Sequence, residues 1–300
     1  MHDSFPSSAP PTVDVRRLSR QFGAKTALDD VSLIIPRGGV FGLIGANGAG
    51  KTTLIKHVLG MLKAESGAVQ VFGLDPVQHP VGVLGRIGYL SEDRDLPDWM
   101  RVGELMRYTQ AFFPDWDENY AEELREAFDL DVNARINTLS RGQRARAGLL
   151  AALAHRPPLL VLDEPSSGLD PVVRRDILGA IIRTIAEEGR TVLFSSHLLE
   201  EVERVADHVA IIHQGRILLT APMDEIKEAH RRVTLRFGQP VDRPPALVGA
   251  LSHSGQGSEW TYLCNGESQQ LRRAAEAIGA TVVGDAALSL DEIFVSHVGG

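Results

Sequence analysis

Short apolar runs, separated by turn residues, recur along the first part of the chain. Four of them occupy residues 33–35, 40–44, 68–72 and 87–90. Runs of this length and composition predict β-strands. Residues 13–18 alternate between apolar and polar side chains, which predicts a strand at the edge of a sheet. Residues 159–162 are continuously apolar, as expected for a strand that is buried on both faces.

Between and after these runs, apolar residues recur at helical spacing. The segments with this pattern are residues 51–62, 102–113, 120–128, 141–154, 171–188 and 198–205. The helices that fall between about residues 101 and 154 predict a small helical subdomain inserted into the strand-rich part. Residues 191–195 predict a further strand, and residues 208–213 and 216–219 form a hairpin pattern around Gln214 and Gly215.

The pattern changes after Ala229. Residues 232–237 and 259–263 predict strands, residues 269–278 predict a helix, and the stretches near Gly238 and at 252–258 predict loops. Ser289 followed by Glu292 is a capping box for a last helix. We therefore predict a small α+β domain over residues 231–300, a larger domain over 13–230, and a disordered tail over 1–12.

Composition narrows the function classes. The 300 residues carry a formal net charge of −8, and no long basic tract offsets it, which argues against a nucleic-acid-binding protein. A single cysteine excludes an intrachain disulfide and suits a reducing compartment. The first residues lack the apolar segment of a secretory signal, and no run reaches the ~18 to 20 apolar residues of a membrane helix. A role at a membrane would therefore require partner subunits.

Residues 45–52 read Gly-Ala-Asn-Gly-Ala-Gly-Lys-Thr, which fits the phosphate-binding pattern G-x-x-x-x-G-K-[ST]. The motif follows a predicted strand and opens a predicted helix, as this loop requires. Its backbone would surround the phosphates of a nucleotide, using Gly45, Asn47, Gly48, Ala49 and Gly50. Lys51 would reach the β- and γ-phosphates, Thr52 would ligate Mg²⁺, and Thr53 would bond the α-phosphate. The motif alone leaves kinases, GTPases, helicases and transporters open.

Two acidic residues end the apolar strand at 159–162. Strands of parallel sheets present their carboxyl ends to ligands, so Asp163 and Glu164 would lie at the same edge as the phosphates. Asp163 would hold Mg²⁺ through water, and Glu164 would accept a proton from an attacking water molecule. The alternative is a pair of exposed acids that merely end a strand.

Residues 139–143, Leu-Ser-Arg-Gly-Gln, precede this pair and open a helix. The pentapeptide resembles the signature motif of the ATP-binding-cassette (ABC) ATPases. A serine hydroxyl and backbone N–H groups at a helix N-terminus make a second anion site. The resemblance implies that Ser140, Gly142 and Gln143 bind the γ-phosphate of a nucleotide held by an opposite subunit. An ordinary helix cap is the alternative.

Other elements of this family follow in the expected order. Phe22 stands where the family often has an aromatic residue that stacks on adenine, and residues 167–170 resemble the D-loop that crosses the dimer. His197 matches the switch histidine that contacts the γ-phosphate and the attacking water. The segments at 88–93, 113–117 and 290–294 are similar to those of single-cassette subunits of bacterial exporters, which serve drug, antimicrobial-peptide or acetoin-related transport.

Two positions depart from the family pattern. Glu92 replaces a glutamine whose oxygen helps to complete the magnesium shell. It would either ligate Mg²⁺ through water or lie aside as a solvated acid. Arg141 replaces the commoner glycine of the signature, and would either reach phosphate or remain solvated.

The resemblance implies an α/β fold: a P-loop NTPase core with an antiparallel β-subdomain, the helical subdomain and the C-terminal α+β domain. It also implies an ATP- and Mg²⁺-dependent ATPase that pairs with a second ATP-binding subunit, identical or related. The pair would power transport, with export favoured, through separate transmembrane permease subunits at the cytoplasmic face of the membrane. Rival interpretations are a soluble ABC ATPase outside transport and a non-catalytic regulatory module.

Overall fold

The computed structural model describes residues 10–298, without the side chains of residues 181 and 183–188. The chain divides between Thr220 and Ala221 into two compact units, called here the N-terminal and C-terminal units. Most of the predicted tail, residues 1–9, lies outside the described residues. Thr12, which was assigned to that tail, is instead buried, and its hydroxyl lies 3.0 Å from the hydroxyl of Thr191. The folded part therefore begins before Val13.

The N-terminal unit combines two sheets with flanking helices. Its strands are β1 (Val13–Phe22), β2 (Lys25–Ile35), β3 (Gly39–Ile44), β4 (Ser66–Val71), β5 (Ile87–Leu90), β6 (Leu159–Asp163), β7 (Thr191–Ser196), β8 (His208–His213) and β9 (Arg216–Pro222), whose last residues pass the division. Its helices are α1 (Lys51–Val58), α2 (Pro80–Leu84), α3 (Val102–Gln110), α4 (Glu118–Ala127), α5 (Arg141–Leu153), α6 (Pro171–Glu188) and α7 (Leu199–Val205).

A six-stranded sheet with the order β5-β6-β7-β3-β8-β9 forms the centre of this unit. The pairs β5/β6, β6/β7, β7/β3 and β3/β8 are all parallel. In the register, Ile44 lies opposite Ser196, and Asp163 lies opposite Ser195. The carboxyl ends of β3, β6 and β7 therefore meet side by side, and the segments that follow these strands converge at one edge.

The second sheet is antiparallel, with the order β2-β1-β4. It forms the predicted antiparallel β-subdomain, but β1 lies in its centre and not at an edge as its alternation had suggested. Val13, Val15 and Leu18 of β1 share one apolar core with α1 and the six-stranded sheet. Alternation reports only that one face of a strand is covered. It does not reveal how many neighbours the strand has.

Helices α3, α4 and α5 lie in the predicted helical subdomain. Together with the two sheets they confirm the predicted α/β fold class. No helix of the described chain is long and apolar enough to serve as a membrane span.

The C-terminal unit is a four-stranded antiparallel sheet with helices. Its elements are α8 (Met223–Ala229), β10 (His230–Phe237), β11 (Ala250–Gln256), β12 (Glu259–Asn265), α9 (Ser268–Ala277), β13 (Ala280–Ala287) and α10 (Leu290–Val298). The sheet order is β11-β12-β10-β13. Val233, Leu235 and Tyr262 of its core pack with Leu271 of α9.

Two features of this unit differ from the sequence predictions. Residues 252–258 were expected to form a loop, yet most of them belong to β11, an edge strand with a largely exposed surface. Polar residues are tolerated there because an edge strand buries little. Helix α8 was assigned to the preceding domain but falls after the division, and Ala229 O accepts a hydrogen bond from Gly266 N.

Candidate nucleotide-binding site

The loop between β3 and α1 is held open by two glycines. Gly48 and Gly50 have φ angles of 79° and 116°, which side-chain-bearing residues rarely adopt. Gly50 is the N-cap of α1 and provides no capping side chain, and the first turn of the helix has no acidic residue. The backbone N–H groups at this helix start are therefore available for an anion, and the helix dipole favours negative charge there.

Lys51 is buried within this loop. Its Nζ donates hydrogen bonds to Gly45 O at 2.5 Å and to Ala46 O at 3.3 Å, and it lies 2.9 Å from Glu164 Oε1. Both side chains of the ion pair are about 95% buried, with exposed fractions of 5% and 4%. The ammonium group is thus fixed at the centre of the loop, where it would face the phosphates.

Asp163 ends β6 beside the loop. Its Oδ1 accepts a hydrogen bond from Ser195 Oγ at 2.7 Å, whereas its buried Oδ2 has no hydrogen-bond partner among the described residues. Burial raises the pKa of Asp163, while the hydrogen bond from Ser195 and the nearby Thr52 hydroxyl oppose that rise. A buried carboxylate oxygen without a partner, next to a threonine hydroxyl, is the hard-oxygen donor set that Mg²⁺ prefers. Thr52 and Asp163 therefore fit a magnesium site.

Glu164 follows in a strained conformation. Its φ angle is 48°, in the left-handed region that non-glycine residues seldom occupy. Its backbone N–H donates to Ser195 Oγ at 2.9 Å, and its Oε2 lies 2.7 Å from Nδ1 of His197. Ser195 was not singled out by the sequence analysis, although its hydroxyl contacts both acidic residues. Its place immediately before the switch segment, on a neighbouring strand end, was the available signal.

A cavity of about 400 Å³ opens above the loop. Its lining residues are Phe22, Lys25, Ala27, Asn47, Gly48, Gly50, Lys51, Thr52, Thr53, Glu92 and Glu164. The ring of Phe22 is 46% exposed, with the Arg20 guanidinium 4.8 Å from its centroid. Gly45 and Ala49 belong to the loop without lining the cavity. Lys25, which the sequence analysis missed, adds a positive charge near Phe22.

Glu92 lies in the cavity lining together with Glu164. Partial removal of water raises the pKa of the Glu92 carboxyl, repulsion from Glu164 and Asp163 adds to the rise, and Lys51 opposes it. A magnesium ion would relieve the same repulsion, because it adds positive charge among three carboxylates. Both interpretations of Glu92, as a ligand through water or as a solvated acid, stay predictions.

The signature residues lie apart from this cavity. Ser140 is the exposed N-cap of α5, where Gln143 N donates to Ser140 Oγ at 3.2 Å and Ser140 N donates to Gln143 Oε1 at 3.0 Å. A Cβ on Gly142 would lie 2.6 Å from Val173 Cγ2, so glycine is required there by packing. The ordinary capping role is therefore present, and Ser140 does not lie in the same chain's cavity.

Comparisons with known proteins agree with this geometry. A family model described as ABC transporter matches residues 28–167. The ABC transporter ATP-binding protein YtrB of Bacillus subtilis (strain 168) is 27% identical over 96% of this chain and 98% of its own length. The bacitracin transport ATP-binding protein BcrA of Bacillus licheniformis is 33% identical over 77% of this chain and 76% of its own.

Among solved structures, an ATP-binding subunit of an ABC transporter matches with 29% identity and a TM-score of 0.67. The match covers 72% of this chain and 92% of that subunit. The chain therefore belongs to the ABC transporter family of ATP-binding proteins.

Proposed function

We propose that this chain hydrolyses ATP to ADP and phosphate with Mg²⁺ and that it powers transport through separate membrane subunits. The observation that carries the proposal is the position of the Glu164 carboxylate. It lies 2.9 Å from Lys51 Nζ on one side and 2.7 Å from His197 Nδ1 on the other. A carboxylate held between a phosphate-binding lysine and a histidine is suited to accept a proton from water that attacks the γ-phosphate.

Each residue has a distinct role in the proposed reaction. Lys51 exchanges the loop carbonyls for phosphate oxygens, and the N–H groups at the start of α1 bind the same phosphates. Thr52 and Asp163 would hold Mg²⁺, which would neutralise phosphate charge, and Glu92 would contact the ion through water. Glu164 takes the proton, while His197 contacts the γ-phosphate and orients the water. Phe22 stacks on the base.

A second ATP-binding subunit completes each site. Ser140 is exposed at the N-terminus of a 13-residue helix, outside the cavity of its own chain. We propose that Ser140, Gly142 and Gln143 supply their anion site to nucleotide bound by the opposite subunit, with the D-loop at residues 167–170 crossing between them. Two ATP molecules would then be enclosed by the pair.

The membrane partners are proposed from the family and from the relatives. BcrA is named for bacitracin transport. We propose that this chain also serves transport, and its resemblance to single-cassette exporter subunits favours export. Residues 93–99 resemble the place where membrane subunits dock in this family, so we propose that the permease subunits bind there and hold the protein at the cytoplasmic face of the membrane. We propose that the C-terminal unit, which begins at Ala221, is an accessory to this machinery. The runner-up function is a soluble ABC ATPase with a non-transport or regulatory role.

The test is the Glu164→Gln variant of the full chain. Glutamine keeps the shape but cannot accept the proton, so phosphate release should fall ~10²-fold or more while ATP binding persists. The variant should also accumulate as an ATP-bound dimer in size-exclusion chromatography with Mg²⁺. Glu123→Gln, an exposed change on α4, is the matched control and should hydrolyse normally.

Near-normal phosphate release by Glu164→Gln would refute the assignment of the base. Loss of ATP binding in the folded variant would give Glu164 a structural role. Stimulation of hydrolysis by co-purified membrane subunits would distinguish a transporter subunit from the soluble alternative, in which no such partner changes the rate.

A further inference from the structure

A buried arginine joins the Glu92 segment to the segment that follows Glu164. Arg94 is only 5% exposed. Its Nη2 donates hydrogen bonds to Ser167 O at 2.7 Å and to Pro165 O at 3.3 Å. The backbone of Arg94 is itself left-handed, with a φ angle of 52°, and its N–H donates to Ser91 O at 3.2 Å. The proposed reaction assigns no role to the Arg94 side chain.

The placement of a charge here is energetically costly. Burial and the nearby Arg141 lower the pKa of Arg94, while Glu92 opposes the effect. A guanidinium nevertheless remains charged in proteins, so its desolvation must be offset by good acceptors. The acceptors that the structure gives it are two backbone carbonyls, and its Nε has no hydrogen-bond partner among the described residues. The position of the side chain is therefore tied to the backbone at residues 165–167.

That backbone segment begins directly after the strained Glu164. A left-handed non-glycine residue persists only where its surroundings fix it. Ser195 Oγ holds the N–H of Glu164, and a turn hydrogen bond joins Ser167 N to Glu164 O at 3.1 Å. Arg94 binds the carbonyls of Pro165 and Ser167, the first and third residues after Glu164. The strained residue is thus fixed on both sides, by a hydroxyl before it and by a guanidinium after it.

We propose that Arg94 is a positioning residue for ATP hydrolysis: it fixes residues 165–167 so that the Glu164 carboxylate stays aligned for proton transfer. The inference rests on the proposed role of Glu164 as the base. A second anchor exists, because Ser166 Oγ donates to Glu201 Oε2 at 2.5 Å. Loss of Arg94 therefore loosens the segment and does not release it fully.

The first experiment measures kcat, KM and ATP affinity of the full-length Arg94→Met variant. Misplacement of a catalytic group by about 1 Å costs ~10²-fold in rate, so partial loosening predicts a fall in kcat of about tenfold. KM and ATP affinity should change less than about threefold, since Arg94 does not line the nucleotide cavity. Arg94→Lys keeps a charged donor for one carbonyl and should recover part of the rate.

Arg144→Met is the matched control. Arg144 and Arg94 line the same cavity of about 350 Å³, but Arg144 pairs with Asp98 at 2.5 Å. Its removal deletes an equal charge without touching residues 165–167 and should leave kcat unchanged. Thermal unfolding of each variant verifies the fold, and the Lys variant carries the test if the Met variant does not fold. Unchanged kcat in the folded Met and Lys variants would overturn the proposal.

A double-mutant cycle with Glu164→Gln separates positioning from a general structural role. If Arg94 acts through the base, Arg94→Met should reduce the residual hydrolysis of the Glu164→Gln protein by less than about twofold. An equal tenfold fall in both backgrounds would overturn the proposal. The proposed function fails separately, if Glu164→Gln alone hydrolyses ATP normally.

Discussion

The two units treat their buried polar groups differently. In the N-terminal unit, the buried atoms without a hydrogen-bond partner among the described residues include Asp163 Oδ2 and Arg94 Nε. In the C-terminal unit, no buried side-chain nitrogen or oxygen of a described residue lacks such a partner. Asp285 illustrates this: its carboxylate accepts from Arg231 Nε at 2.9 Å, Ser268 Oγ at 2.5 Å and Arg272 Nη2 at 3.4 Å.

One of these unpaired atoms, Asp163 Oδ2, lies beside the phosphate-binding loop. A buried polar group without a partner costs stability, so its retention requires an explanation. Around Asp163, the Mg²⁺ that we propose there would supply the missing charge. The C-terminal unit satisfies its polar groups from within, which is typical of a structural or accessory domain. Ligand binding and mutation should therefore affect the two units separately.

The largest expected effect is stabilisation of the N-terminal unit by ATP with Mg²⁺. A ligand that binds only the native state stabilises it by about 2.7 kcal/mol at a hundred times its dissociation constant. In hydrogen exchange on the Glu164→Gln protein, which keeps ATP intact, residues 45–53 and 163–167 should gain protection. Residues 230–298 should exchange at the same rate with and without ATP. Equal protection of both units would contradict their separation.

The next effect concerns the C-terminal unit alone. Burial raises the pKa of Asp285, but the Ser268 hydroxyl and the guanidinium groups of Arg231 and Arg272 lower it by more, so the carboxylate is charged and paired. Asp285→Asn places an amide donor against these donors and should destabilise this unit by about 1–3 kcal/mol. Hydrogen exchange of residues 230–298 measures the loss, with exposed Asp242→Asn as control. A matching loss in ATPase activity would argue against two independent units.

The sequence predicts those parts of the site that consist of consecutive residues, but not those that depend on contacts between distant segments. The phosphate-binding loop and the pair Asp163–Glu164 could be recognised in the sequence because each is a short run of consecutive residues. The role of Ser195 could not be recognised in this way, because its contacts depend on the parallel register between β6 and β7. Arg94 was missed for a similar reason, since its acceptors lie more than seventy residues away along the chain.

The remaining differences arise where tertiary packing overrides a local pattern. β1 alternates like an edge strand yet has neighbours on both sides, because β4 returns to pair with it. The polar sequence of β11 resembles a loop, and pairing with β12 makes it a strand. Helix α8 belongs to the C-terminal unit, and its last residue bonds to a distant part of that unit: Ala229 O accepts a hydrogen bond from Gly266 N at 2.7 Å. No local sequence signal reports these pairings.

A smaller effect is expected at the base-binding end of the cavity. Phe22→Ala removes the exposed ring and should weaken ATP binding by ~1 kcal/mol, about fivefold in affinity. Stacking on a ring face does not distinguish the hydrogen-bonding groups of adenine and guanine. ATP and GTP should therefore bind with similar affinity, and Phe22→Ala should weaken both equally. Parallel titrations with both nucleotides measure this. Phe112→Ala, another exposed aromatic of the same unit, is the control. Unchanged affinity in Phe22→Ala would remove the ring from the site.

Removal of the C-terminal unit should have the smallest effect, and the quantity measured is the affinity for ATP. The N-terminal unit has its own apolar core, and all residues of the cavity precede Thr220. A chain that ends at Thr220 should therefore bind ATP within about twofold of the full chain, since the contacts to the phosphates and base are retained.

The truncated chain also tests whether the N-terminal unit binds ATP independently of the C-terminal unit. Circular dichroism would verify that the shortened chain is folded, and isothermal titration would give its affinity for ATP with Mg²⁺. Loss of binding in a folded chain would mean that the C-terminal unit holds the nucleotide site in its competent form. Retained binding with altered dimer formation or hydrolysis would instead assign this unit to assembly or regulation. Because its polar groups are already paired internally, we expect the second result.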